Sequence, residues 1–273
     1  SLQQVADLPA RALGTQISEF VKWCWDDLSI TRGMVESALS AFGYLFFWTG
    51  PLLRPGTRLV RSWRNREPIM MRIPISQELC QAVVCVCFAW GWYAAGICFW
   101  VGFTGLLRPH EMYSLCSNVV RPVRQGRLIV IVIEDAKTWR RAARRQHVLI
   151  DDPWLCAALL KMKRMCDPHI RWFPFSIETL GNRLTAVLLS LGIPGFFTLA
   201  SFRTGGATED WIRNRDLPSL RLRGRWALEQ TLEHYVQEAM TFLTEEEIPP
   251  ESRRRSQQLS QLAPSLIAEW LHL

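Results

Sequence analysis

Residues 79–107 contain no charged side chain, and this run restricts the possible folds more than any other feature. It is long enough to cross a bilayer, which takes about 20 apolar residues. The alternative is a pair of helices buried on every face inside a large domain. Local chemistry favours the pair. Pro74 and Ser76 read as a helix start, with Ser76 as N-cap and Glu78 in the first turn. Gln81, Gly91 and Gly96 interrupt the run. Trp90-Gly-Trp92 lies at its centre, whereas the aromatic belts of a bilayer span lie at its ends. The pattern predicts two buried helices, over about 76–90 and 92–104, broken near Gly91. A membrane span remains open as a competing reading.

Burying two such helices takes a sizeable domain. A length of 273 residues allows one large domain or two of ordinary size. With 49% hydrophobic and 21% charged residues, the chain has ample core material. The net charge of +7 favours a polyanionic partner, nucleic acid ahead of an anionic membrane. Cys24, Cys80, Cys85, Cys87, Cys98, Cys116, Cys156 and Cys166 fall mostly in apolar runs and form no CxxC pair. No metal site is therefore expected. Without a signal peptide, cysteine usage of this kind implies reduced thiols and an intracellular location. The chain opens on Ser1, so a targeting signal further upstream would be invisible.

Residues 1–66 read as helical. Apolar positions recur at Ile17, Phe20, Val21, Trp23 and Trp25, and again at Met34, Ala38, Ala41 and Leu45. Thr49-Gly-Pro51 and Arg54-Pro-Gly56 break the pattern. The basic stretch 61–68, with Arg64 and Arg66, ends in proline and suits a linker, placing a domain boundary near 66–73. A helix is expected from about Leu107, carrying Arg108, Glu111 and Leu115. The period then changes. Residues 127–133 are apolar and β-branched, and 146–150 make a partner strand across the charged loop 134–145. Asp152-Pro153 opens a helix to about 166, and Ser176 caps another over 177–191. A helix from Thr198 contains Arg203, a short one starts at Leu217, and a longer one covers 227–243. Residues 245–258 read as a flexible charged arm. Residues 259–273 form an amphipathic helix with Leu262, Leu266, Ile267, Trp270 and Leu271 on one side.

Taken singly, the polar residues have ordinary explanations. Arg108 and Glu111 are spaced i,i+3, so the carboxylate either orients the guanidinium or makes a surface pair. Gly205 and Gly206 each cost a helix about 1 kcal/mol relative to alanine. That cost signals a close backbone approach, to another helix or to a phosphate. Lys137 lies among Arg140, Arg141, Arg144 and Arg145, a basic hairpin suited to backbone phosphates. A sharper reading makes Lys137 the acid that protonates a leaving hydroxyl. Tyr235 shares a helical stripe with Leu228, Leu232, Val236, Ala239 and Leu243, which makes it a half-buried core tyrosine. Trp226 reads as core too.

Their order is more specific. Thr104-Gly-Leu-Leu-Arg108-Pro-His-Glu111 is followed by Lys137-Thr138, then by Arg203-Thr-Gly-Gly-Ala-Thr208. Trp226 comes nine residues before Tyr235. This series resembles the tyrosine recombinase (phage integrase) family over most of the chain. The likeness implies an α+β fold, mostly α, with a small antiparallel sheet. Residues 1–66 would be a short or truncated helical core-binding domain, 67–244 the catalytic domain, and 245–273 a C-terminal arm and helix. The run 79–107 falls where the family has its first two catalytic-domain helices.

By the same resemblance Tyr235 is the nucleophile, giving a 3′-phosphotyrosyl intermediate without metal or cofactor. Arg108 and Arg203 hold the phosphate, Trp226 packs against it, Lys137 is the acid and Glu111 supports Arg108. Arg140, Arg141, Arg144, Arg145, Arg64 and Arg66 contact DNA. The partner is double-stranded DNA and the assembly a homo-oligomer, a tetramer in the family. The helix 259–273 docks either on a neighbouring subunit or on its own domain. Two departures stand out. The Thr-Gly box holds one extra residue, Leu106-Leu107 where one is usual. Ala200 replaces the histidine of the His-x-x-Arg pattern, and alanine neither donates to phosphate nor accepts a proton. An active recombinase, a catalytically impaired DNA-binding relative and a membrane protein are thus the three readings to separate.

Overall fold

Among the described residues three α-helices and a short 3-10 turn (Phe47–Thr49) build the first of two compact units, which divide between Met70 and Met71. The computed structural model describes residues 10–27, 29–67, 72–133, 146–193 and 195–272. Helices α1 (Ala10–Asp26), α2 (Arg32–Leu45) and α3 (Arg54–Arg66) enclose Val21, Cys24, Val35, Val60 and Trp63. Trp25 stacks on Trp63 at 5.4 Å, and Arg32 reaches Glu67 at 2.8 Å. The helical periodicity is right, but Phe20, Trp23, Met34 and Leu45 remain exposed. Three short helices cannot bury every apolar position that sequence spacing marks.

In the second unit the charge-free run forms α4 (Gln77–Ala89) and α5 (Tyr93–Thr104). Ser76 Oγ accepts the Leu79 N–H at 3.3 Å, capping α4 as its sequence suggests. Gly91, at φ +71°, makes the left-handed turn between the two helices. At 13 and 12 residues each helix is far shorter than the hydrocarbon core of a bilayer, about 30 Å. Among the described residues no helix is long and apolar enough to cross a membrane. The run 79–107 thus forms two short helices and no single span; it is the domain core, packed around Cys85, Ala95, Ile97, Cys98 and Phe99. Burial pushes the Cys98 thiol up to about 12, in keeping with an inert core cysteine.

A short helix α6 (Pro109–Tyr113) leads to an antiparallel sheet of β1 (Val120–Val123), β2 (Leu128–Ile133) and β3 (Gln146–Ile150), in that order. Ile129, Ile131 and Ile133 alternate inward along β2. The strand β1 was not legible in the sequence, because Pro122 and Arg121 disguise it. Proline is tolerated there because β1 is an edge strand.

The remaining helices are α7 (Pro153–Met165), α8 (Ile177–Ser190), α9 (Leu199–Asn214), α10 (Leu217–Arg223), α11 (Glu229–Glu233), α12 (Glu238–Glu247) and α13 (Pro250–His272). Asp152 and Ser176 cap α7 and α8 through the N–H groups of Leu155 and Thr179. Two expectations need correction here. The predicted helix over 227–243 is split into α11 and α12. The stretch 245–258 is no flexible arm, since α13 already begins at Pro250. Its serines explain this: Ser252 and Ser256 are small enough to face the domain, and Ser252 Oγ donates to the Gly192 carbonyl at 2.9 Å. Further along, Trp270 packs against Phe88 at 5.2 Å and Tyr93 at 5.5 Å. The apolar side of α13 is thus used on its own domain.

Candidate active site

Arg203 is placed by the glycines that follow it. A Cβ on Gly205 would overlap the Ile75 carbonyl oxygen, and one on Gly206 the Phe103 carbonyl oxygen. The close approach they signal is therefore backbone to backbone, and α9 lies directly on the end of α5. This sinks Arg203 into the domain, where it is 2% exposed. Its Nη1 donates to the Leu106 carbonyl and its Nη2 to the Gly224 carbonyl, the latter at 2.6 Å. The guanidinium lies 4.4 Å from the Trp226 ring centroid and 5.3 Å from that of Tyr235. Gly224 is needed for the same packing, because any Cβ there would run into the Trp226 ring.

Arg108 and Glu111 form a second group around the start of α6. Glu111 Oε2 accepts the Arg108 backbone N–H at 2.9 Å, and Oε1 accepts Arg108 Nη1 at 2.6 Å. The carboxylate is buried and serves a further cation. Arg225 Nη2 reaches Glu111 Oε2 at 2.6 Å and approaches the Leu106 carbonyl at 3.4 Å. Sequence reasoning missed Arg225. The only signal available was a basic residue between Gly224 and Trp226, and its significance depends on a carboxylate more than a hundred residues away in the chain.

Three guanidiniums therefore surround one carboxylate, an excess of positive charge in a buried place. Burial is the main influence pulling the Arg203 and Arg225 proton affinities below the usual arginine range, with Arg108 adding repulsion to both. Glu111 opposes the shift in each case. Arginine keeps its proton under almost any condition, so a site with this charge is suited to an anion. Arg203 Nε, Arg225 Nε and Nη1, and Trp226 Nε1 are buried and have no acceptor among the described residues.

Tyr235 lies in the break between α11 and α12. Its ring is 5.0 Å from Trp226, inclined at 54°. The break is stabilised by Thr208 of the Gly-Gly-Ala-Thr segment, whose Oγ1 accepts the Gln237 N–H at 3.1 Å and lies 3.0 Å from the Tyr235 carbonyl. These bonds satisfy backbone groups that a continuous helix would have paired internally. The continuous apolar stripe fails accordingly: Leu232 is fully buried, whereas Leu228 and Leu243 are exposed.

The structure thus brings Arg108, Glu111, Arg203, Trp226 and Tyr235 into one neighbourhood. Lys137, Arg140, Arg141, Arg144 and Arg145 lie outside the described residues. Arg64 and Arg66 belong to the first unit, where Arg64 lies 3.7 Å from Glu36 and Arg66 stacks on Trp25. Ala200, one turn before Arg203 on α9, is buried and offers only a methyl group. Among the described residues no group of three or more His, Cys, Asp or Glu side chains could hold a metal ion.

No protein-family model matches the sequence, and no curated protein matches it. Similarity does emerge among solved structures. XerH site-specific recombinase bound to palindromic difH substrate, a post-cleavage complex, matches with a TM-score of 0.52 at 12% identity, over 87% of this chain and 78% of that one. The XerH pre-cleavage complex with difH substrate matches with a TM-score of 0.50 at 13% identity, over 76% and 67%. XerA recombinase matches with a TM-score of 0.48 at 15% identity, over 88% and 90%. The likeness to XerH shows the fold: this chain has a tyrosine recombinase fold, mostly helical with a small antiparallel sheet.

Proposed function

We propose that the protein is a site-specific DNA recombinase that cuts and rejoins double-stranded DNA through Tyr235. The observation that carries this reading is the packing of Arg203 against both Trp226 and Tyr235, beside the Arg108–Glu111–Arg225 group. A phenol next to a buried, donor-rich cationic site can attack a phosphodiester held there.

In the proposed step the Tyr235 Oη forms a bond to phosphorus while the bond to the 5′-oxygen breaks. The products are a 3′-phosphotyrosyl protein and a free 5′-hydroxyl, with the phenol proton passing to solvent. Arg108 and Arg203 bind the non-bridging oxygens, Trp226 packs against the same phosphate, and Lys137 supplies the proton for the leaving oxygen. Attack by the 5′-hydroxyl of a second DNA end reverses the bond changes and releases Tyr235. Exchange between two duplexes breaks four strands, each held by one tyrosine, so the working assembly is a tetramer. The basic residues Arg140, Arg141, Arg144, Arg145, Arg64 and Arg66 contribute sequence-independent contacts to DNA phosphates.

The test uses nicked suicide substrates, from which the leaving strand diffuses away and traps the covalent adduct. A Tyr235-dependent adduct is expected. Its persistence in Tyr235→Phe would overturn the nucleophile assignment. The buried Ala200 favours one alternative, a DNA-binding relative that lacks cleavage. That alternative predicts salt-sensitive DNA binding without an adduct at any pH.

A further inference from the structure

We propose that Arg225 is a third phosphate-binding arginine of this site, supplying from the Gly224-Arg225-Trp226 turn the contact that Ala200 cannot make. The proposal rests on the recombinase reading for its substrate, a DNA phosphodiester. It depends on that reading for nothing else.

Arg225 is held at one end only. Nη2 is anchored by Glu111 at 2.6 Å and by the Leu106 carbonyl at 3.4 Å. Arg203 donates to that same Leu106 carbonyl, so the two guanidiniums converge on one oxygen. The other face of Arg225, Nε and Nη1, is buried without an acceptor among the described residues. Arg203 Nε and Trp226 Nε1 share that condition. All four nitrogens are donors, and they belong to residues in mutual contact or in contact with a common partner. Buried donors without acceptors are rare in folded proteins because each costs its full desolvation. A set made only of donors calls for a ligand made only of acceptors. A phosphodiester anion, with its two non-bridging oxygens, meets that description.

Backbone conformation gives an independent indication. Arg225 has φ +60°, a left-handed conformation that glycine adopts without steric cost and arginine does not. An arginine held there suggests that its side chain is required. Ala200 lies on α9 and Arg225 in the turn after α10, so the missing donor is replaced from a different element.

The test compares wild type, Arg225→Gly and Arg225→Lys. Glycine relieves the backbone strain and leaves Glu111 paired with Arg108, so the variant should fold. Adduct formation is timed in single turnover on two suicide substrates. One has an ordinary scissile phosphate; the other has a methylphosphonate, in which a methyl group replaces one charged oxygen. Arg225→Gly is expected to slow cleavage of the phosphate substrate by about a hundredfold or more, the usual effect of losing one oxyanion donor. On the uncharged linkage its rate should lie within a few-fold of wild type, and Arg225→Lys should recover part of the loss. An unchanged rate on the phosphate, or an equal slowing on both substrates, would overturn the proposal. Inorganic phosphate provides a measurement that needs no DNA. At constant ionic strength it should raise the melting temperature of wild type and not of Arg225→Gly. Equal rises in both would overturn the proposal. An Arg225-dependent rise in a protein that forms no Tyr235 adduct would keep the anion site and reject the recombinase reading.

Discussion

Glu111→Gln gives the sharpest measure of the charge arrangement at the site. The carboxylate side chain is 5% exposed and pairs with Arg108 and with Arg225, itself only 6% exposed. Glutamine preserves the shape but removes the charge, and its amide nitrogen turns a donor toward one of two guanidiniums. Removing one partner of a buried ion pair costs about 3–5 kcal/mol, since the surviving charge is left uncompensated. The glutamine oxygen still accepts one hydrogen bond, so the lower end, about 3 kcal/mol, is expected. For a unit of this size that corresponds to a fall in melting temperature of roughly 6–12 °C. Urea unfolding followed by circular dichroism measures the change. The decisive sample is the double variant, Glu111→Gln with Arg225→Gly. If stranded positive charge is the cause, removing Arg225 should restore part of the lost stability, with a coupling of about 1 kcal/mol or more. Glu111→Gln within about 0.5 kcal/mol of wild type, the range of ordinary surface changes, would refute this account of the charges. So would a double variant no more stable than Glu111→Gln alone.

Two further outcomes follow from elsewhere in the fold. Trp270→Ala removes the ring that seats α13 on Phe88 and Tyr93; it should cost about 3–5 kcal/mol, and limited proteolysis should then cut within 250–272, a region expected to resist cleavage in wild type. Burial holds the Glu245 carboxyl above the usual range, with Glu78 adding repulsion and a hydrogen bond to Ser76 opposing the shift. A raised folded-state value means that the penalty is full at pH 7 and disappears as pH falls through that value. Glu245→Gln should therefore melt higher than wild type at pH 7, and the advantage should shrink toward about pH 4, near the free glutamate value. A constant difference across that range would count against the buried-charge explanation.

The residues that could be read from sequence are those whose structure is determined by near neighbours. Ser76 caps the helix that begins beside it, Gly91 turns where two apolar segments meet, and Asp152-Pro153 opens a helix, each within a few residues. The strand β1 was hidden by Pro122, which is acceptable because no described strand pairs on its outer side. The α11–α12 break escaped periodicity because its cause is Thr208, on another helix. Serine spacing in 250–258 looked merely polar because the surface it packs against, the end of α8, is far away in sequence. At the site, Arg108, Glu111, Arg203, Trp226 and Tyr235 stand out in sequence through an ordered pattern, and the fold brings them into one neighbourhood. Arg225 was not, because a lone arginine acquires meaning only from the carboxylate that holds it.

The turn between Thr104 and Arg108 has a physical role at the site. Leu106 takes a left-handed conformation, φ +50°, and its carbonyl faces Arg203 and Arg225 together. The Leu106 turn and Arg225 thus meet at a single oxygen. The two are coupled: shortening the turn withdraws the acceptor, and replacing the arginine leaves the Leu106 carbonyl without one of its two partners. Chains built on this arrangement should therefore gain or lose the two together, and grafting Arg225 alone into a shorter turn should give a guanidinium with nowhere to anchor. The length of a loop, usually free to drift, is here tied to the identity of one side chain.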